Sequence, residues 1–232
     1  MKKILTTGGF IILFLCLFST LFAQDYIYEM KQIMEHFQME NIREALRNKA
    51  YYEADGTPYL YEMGAQEGEI KIKGRGIYKG YLRYDMYADQ VQFLVNGQYH
   101  YIGNPEIIEY VTIGDYTLIY ALTKPKKAKG GYFELVKEGD CRLLVKKEVD
   151  LLPAVPAKAY ADPKPASFSH KKDKFYIQLG INSVPQRISN KKGIFRLLSG
   201  KEPELEQYFE NENPSVTNRD DLVKLIDYYN SL

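Results

Sequence analysis

The sequence predicts an α+β protein: an antiparallel β-meander of hairpins with an N-terminal helix and a C-terminal cluster of three short helices. Three observations carry that expectation. Residues 81–102 alternate apolar and polar side chains on both sides of Asn96-Gly97, the dipeptide that best tolerates the positive φ angles of a type I′ turn. A second pair of strand-like runs flanks Gly114-Asp115. From Ser189 onward the apolar spacing becomes helical, with polar residues where helix caps belong.

Residues 1–23 read as a signal peptide. Lys2 and Lys3 precede an apolar run from about residue 10 to Phe22, and Leu21-Phe22-Ala23 supplies a cleavage site before Gln24. Retention as an anchor is the competing reading, because 4–23 is 20 residues long, but Thr6, Thr7, Gly8, Gly9, Ser19 and Thr20 dilute it. Export to the periplasm or outer-membrane periphery of a Gram-negative bacterium is expected, with no transmembrane span after cleavage. Of the two cysteines, Cys16 leaves with the signal, so Cys141 has no intramolecular disulfide partner. Losing Lys2 and Lys3 leaves 29 basic residues against 30 acidic ones. That balance gives no electrostatic reason to expect nucleic acid or an anionic membrane as partner.

Residues 24–50 are expected to form one broken amphipathic helix or two short ones, with Tyr26, Met30, Ile33, Met34 and Phe37 along one stripe, Ile42, Ala45 and Leu46 following after a phase slip, and Asp55-Gly56-Thr57-Pro58 turning the chain beyond. Residues 51–150 are expected to form the antiparallel sheet. Strands at 69–73 and 77–87 join through Gly74-Arg75-Gly76, and the second buries Tyr78, Leu82, Tyr84 and Met86 while Lys79, Tyr81, Arg83, Asp85 and Tyr87 face out. It is read as meeting the next strand through Ala88-Asp89. The two-residue turn at Asn96-Gly97 sets Val95 opposite Gln98 and Phe93 opposite His100, so Val91, Phe93, Val95, His100 and Ile102 share the drier face. Around Gly114-Asp115, Ile107, Val111, Ile113, Tyr116, Leu118 and Leu122 share one face, and Ile108, Tyr110, Ile119 and Ala121 the other. Both faces are apolar, which predicts strands that are central or covered on both sides. A hairpin at 132–149, turning near Gly139, groups Tyr132, Glu134, Val136, Cys141, Leu143 and Val145 against Phe133, Leu135, Arg142, Leu144 and Lys146, which makes Cys141 a small buried residue.

The Pro/Ala-rich segment 151–172 reads as an extended linker or strap. Residues 173–232 are expected to give one strand at 175–179 and then three helices. Ser189 is placed as cap of the first, Pro203 at the start of the second, and Thr217 or Asn218 as cap of the third. The stripe Leu222, Leu225, Ile226, Tyr229 should bury against Ile194, Leu197, Leu198 and Phe209. Asp220, Asp221 and Asp227 on the last helix argue against a DNA-binding helical element.

Gly56-Thr57-Pro58-Tyr59-Leu60, the run 82–89 (LRYDMYAD), Gly131-Tyr132-Phe133 and the ending Asp227-Tyr228-Tyr229-Asn230 together resemble a family of uncharacterised exported proteins of Bacteroidota bacteria. In that pattern Asn is usual where this chain has Asp85, and an acid is usual near Gln92. The resemblance implies an envelope location and no particular activity.

The three histidines, His36, His100 and His170, lie in different elements with no ligand at metal spacing, so neither metal nor cofactor is expected. Gly74, Gly76 and Gly80 miss the dinucleotide fingerprint by one residue and lead into a strand rather than a helix. Lys-rich 124–131 reads as a solvated loop. The feature that suggests recognition is the outward row Tyr81, Arg83, Asp85, Tyr87, in a chain of 21 tyrosines and no tryptophan. The resulting expectation is a non-catalytic binding or scaffold module with an envelope protein or glycan as partner. The alternative is a hydrolase using Asp85 or Asp89 with His100. The predicted register sets Asp85 and His100 on opposite faces.

Overall fold

The computed structural model describes residues 27–29, 33, 39–41, 49–124, 126, 129–158, 160 and 162–232. Residues 1–23, the expected signal peptide, lie outside this set. Among the described residues no helix is long and apolar enough to cross a membrane.

The protein is mostly antiparallel sheet with helices at its C-terminal end. Two meanders make up the bulk of the sheet. The first comprises β3 (Gln66–Ile72), β4 (Ile77–Asp85), β5 (Gln90–Val95) and β6 (Gln98–Ile102); the second comprises β7 (Ile108–Ile113), β8 (Tyr116–Lys124), β9 (Lys129–Lys137) and β10 (Cys141–Lys146). A single continuous meander is not what forms, because β7 returns to pair with β3 and the two units join back to back. β13 (Lys174–Leu179) then pairs with β10, and β14 (Gln186–Arg187) with β13.

Two of the turns carry the register expected of them. Asn96 and Gly97 have φ of 50° and 75°, and Val95 lies opposite Gln98, Phe93 opposite His100. Gly114 has φ 53°, and Ile113 lies opposite Tyr116, Val111 opposite Leu118. The β4–β5 connection is longer than read from sequence: Asp85 pairs with Gln90 across a loop of 86–89, rather than the chain turning at Ala88-Asp89. The shift is two residues, so every side chain keeps its face. Ile108 is a correction, since the β3–β7 register slips between Lys71 and Ile72 and passes over Glu109. That bulge turns Ile108 into the same core as Val111.

A second difference concerns residues 24–50, expected to form one broken amphipathic helix or two short ones. Ile27–Glu29 forms β1, parallel to β4, and Met39–Asn41 forms β2, antiparallel to β6. Ile33 between them is helical and fully buried. The remainder of that stretch lies outside the described residues, apart from the start of a short helix α1 (Lys49–Tyr52). The exposed ladders of β4 and β6 offer unpaired N–H and C=O groups to any neighbouring backbone, and that pairing overrides helical spacing.

One side of the sheet is filled twice over. Ile70, Leu82, Phe93, Val111 and Leu118 centre a first core. Farther along the same side, Cys141, Leu143 and Val145 on β10 and Phe175 and Ile177 on β13 meet three helices. These are α2 (Lys191–Leu197), α3 (Glu202–Glu212) and α4 (Arg219–Ser231). Leu222, Leu225 and Ile226 bury as expected, against Ile194, Leu198 and Phe209. Asn218 caps α4 through its side chain, whereas α2 is capped by Asn190 accepting from Gly193 N, not by Ser189. Asn230 fastens the end of α4 to β10, accepting from Cys141 N and donating to Cys141 O, each at 2.9 Å. Gly139 leaves the room, because a Cβ there would collide with the Asn230 amide. Cys141 is fully buried, and burial pushes its thiol up to about 12.

The Pro/Ala-rich segment is a strap with regular structure. β11 (Val149–Leu152) and β12 (Ser167–His170) pair antiparallel, and a bridge between Val155 and Lys164 extends the arm outward. At its base Phe168 packs edge-on against Tyr51, and Asp55 exchanges backbone hydrogen bonds with Ala166 and Phe168.

Candidate functional site

Residues 51–60 bring the site together. Thr57 Oγ1 accepts from Tyr59 N, and Pro58 to Leu60 then run beside β4, with Leu60 N donating to Tyr84 O and Met86 N to Pro58 O. This short bridge carries the Tyr59 ring over Arg83. The Arg83 guanidinium carbon lies 4.1 Å from the Tyr59 ring centroid and 3.4 Å from that of Tyr99, and Nε donates to Gln92 Oε1 at 2.7 Å. A guanidinium stacked on both faces and tied at Nε keeps its terminal N–H groups on the remaining edge, in the planar fork that matches a carboxylate or a pair of hydroxyls. Each stacking contact is worth about 0.5–2 kcal/mol, so the side chain is held before any ligand arrives.

Around this arginine the surface is tyrosine. Tyr52, Tyr81 and Tyr87 are 56%, 51% and 45% exposed. Tyr87 leans on Tyr51 and on Phe168 from the strap, so the arm base supports the patch from behind.

Asp85, expected in the outward row, is 1% exposed and lies beneath the patch. Its Oδ1 accepts from Tyr87 N (3.0 Å) and Ala88 N (2.9 Å), and Oδ2 accepts from the Tyr51 hydroxyl at 2.5 Å. Short acidic side chains accept from N–H groups two and three residues on and so hold a turn. Here the carboxylate fixes the β4–β5 loop and locks α1 onto it. Burial raises the Asp85 pKa above the ordinary carboxylate value; the Ala88, Tyr51 and Tyr87 donors and the charge of Arg83 pull it partly back.

Asp89 has a structural role of its own. Its backbone is left-handed, φ 54°, and this turns its carboxylate toward β9. Oδ1 accepts from Tyr84 OH (2.7 Å) and Tyr132 N (3.1 Å) and pairs with Lys146 Nζ at 2.6 Å, while Lys146 donates to Tyr132 O at 2.7 Å. The two side chains thus complete the ladder of β9 where its pairing with β10 has stopped at Val145. Gly131 permits the approach, since a Cβ would collide with the Asp89 carboxylate. Burial lowers the Lys146 pKa, and Asp89 opposes that shift.

His100 is 8% exposed, packs against Phe93, and its Nδ1 has no partner among the described residues. It pairs with Phe93, which pairs with Leu82, so it lies across the sheet from Arg83 and Asp85. Asp85, Asp89 and His100 are therefore not brought together: each carboxylate has the separate partners given above. His170 Nε2 lies 3.2 Å from the Thr57 carbonyl, and His36 lies outside the described residues. Among the described residues no group of His, Cys, Asp and Glu is arranged to hold a metal.

Arg83 lies against Tyr59 and Tyr99, Tyr81 is two residues before it on β4, and Tyr52 and Tyr87 are linked to this group through Tyr51, whose ring meets both and whose hydroxyl meets that of Tyr59. Tyr99 was within reach of sequence reasoning, because the Asn96-Gly97 register already turns it toward the face of Gln92. Tyr59 was not, since only the bridge to β4 places it. No protein-family model, no curated protein and no solved structure matches the chain.

Proposed function

We propose that the protein is a non-catalytic, exported envelope protein that binds a glycan or protein partner through the tyrosine-rich face around Arg83. The observation that carries this reading is the Arg83 guanidinium held between Tyr59 and Tyr99, with half-exposed Tyr81 on the same strand and half-exposed Tyr52 and Tyr87 packed on the neighbouring Tyr51. Ordering a long arginine normally costs entropy on binding, and a prestacked one has already met that cost. Tyrosine and arginine are also the residues that most often dominate recognition surfaces. The signal-like N-terminus and the resemblance to exported Bacteroidota proteins support the location.

The test is capture from a solubilised envelope fraction with wild type and with Tyr81→Ala, Arg83→Ala and Tyr87→Ala. One protein or glycan is expected to be enriched by wild type and lost in the Arg83 variant, with the circular dichroism of the variants unchanged. Equal enrichment by all four proteins would remove the site from this face.

A further inference from the structure

Beyond the arginine patch, on the sheet side opposite the helices, a trough of about 740 Å³ crosses β7 to β10 and β13. Its floor is Tyr110, Ile119, Ala121 and Leu135, and one end is closed by Arg142, Gln178 and the loop 181–184. Ile119 and Ala121 belong to a small apolar cluster with Phe133 and Leu144, and Tyr110 and Leu135 pack against it.

Gln178 is 2% exposed. Its Nε2 donates to Ile181 O (3.1 Å) and Ser183 O (2.8 Å), and two carbonyl acceptors leave only one orientation for the amide. Oε1 is therefore fixed as the remaining atom, buried and with no hydrogen-bond partner among the described residues. A buried acceptor without a donor is uncommon and needs an explanation. Arg142 is its cross-strand neighbour and is 9% exposed. Only one guanidinium nitrogen, donating to Glu138 Oε1 at 2.8 Å, is engaged among the described residues. An acceptor and a donor on paired residues beside an apolar floor complement the N–H and C=O of a backbone amide.

At the far end the trough is acidic. Glu106 and Glu109 line it and are exposed. The neighbouring Glu69 is taken by Lys79, and the Lys73 ammonium donates to the Glu106 carbonyl. Two carboxylates thus face one ammonium. From β13 to β7 there are four strand spacings, about 19 Å at about 4.8 Å each, which an extended chain covers in about six residues.

We infer that the trough binds an extended peptide of about six residues. One of its backbone amides meets Gln178 and Arg142, and a lysine or arginine near its other end meets Glu106 and Glu109. The floor takes small aliphatic side chains. The trough's aliphatic lining residues outnumber its two tyrosines, Tyr110 and Tyr120, which favours aliphatic side chains over the face of a sugar. This inference is independent of the reading of Arg83, since no residue is shared.

The experiment is fluorescence anisotropy with labelled, end-capped hexapeptide mixtures that carry Ala, Val, Leu, Ser or Thr at five positions and either Lys or Glu at the sixth. The Lys mixture is expected to saturate and the Glu mixture to bind at least tenfold more weakly. Glu106→Gln with Glu109→Gln, both at exposed positions, should erase that preference. Ala121→Phe should fill the floor and abolish binding. In ¹⁵N spectra of the wild type, the Gln178 side-chain amide signal should move when the Lys mixture is added. The proposal is overturned if neither mixture saturates, if the double Gln variant keeps the full Lys preference, or if chitotriose moves the Gln178 signal and the peptides do not.

Discussion

Asp85 sits under the tyrosine-rich face with both carboxylate oxygens committed to Tyr51, Tyr87 and Ala88. Its pKa is raised, with burial the main cause, and this fixes the sign of its contribution to stability. Below about pH 3.9, the ordinary value, the group is protonated in both states. As pH rises, the unfolded chain releases its proton first while the folded protein keeps it. Asp85 therefore favours folding at low pH, and that contribution is lost as pH climbs through the raised folded value. Asp85→Asn retains an acceptor for the two N–H groups and does not titrate. The stability difference between Asp85→Asn and wild type, from urea midpoints between about pH 4 and pH 7, should move in favour of Asn as pH rises. Parallel profiles would mean that the carboxylate is not held in this buried setting. Asp85→Leu leaves two N–H groups and a hydroxyl unsatisfied, at about 1–3 kcal/mol each, and should be strongly destabilised.

At the scale of elements, what the sequence made legible was whatever local chemistry decides. Asn96-Gly97 and Gly114-Asp115 impose turn geometry, and alternation then assigns faces without further information. Asn218 and the α4 stripe were readable for the same reason. Elements placed by distant partners were not. The strands β1 and β2 exist because ladders of β4 and β6 are open beside them, and the joining of β7 to β3 depends on a pairing between residues some forty positions apart, such as Ile70 with Val111. Half the candidate site shared this fate: Arg83 and Tyr81 could be put on the outer face from alternation, but the burial of Asp85 needs Tyr51 and Tyr59, which arrive from outside the hairpin. Leu225 tests the helical element. It is fully buried between helices and sheet, so Leu225→Ala should cost about 2–5 kcal/mol in a denaturation experiment. An unchanged midpoint would mean that α4 does not dock on β10 and β13.

Across the described residues the sheet presents two different sides. One side is occupied, first by the apolar residues of β3 to β8 and then by the helices. The other carries Arg83 with its tyrosines near one end and the acidic trough nearer the other. The strap reaches round to the first of these and supports Tyr87 through Phe168. This division of labour rests most directly on whether the tyrosine face is a contact surface. Tyrosine nitration read residue by residue by mass spectrometry, with and without solubilised envelope fraction, measures that without altering the protein. In the free protein Tyr52, Tyr81 and Tyr87 should react readily while buried Tyr84 and Tyr132 stay unmodified. Addition of the envelope fraction should protect Tyr81 and Tyr87 and leave exposed Tyr160, at the arm tip, as reactive as before. Unchanged reactivity of Tyr81 and Tyr87, or protection of Tyr160 alone, would contradict the assignment of this face.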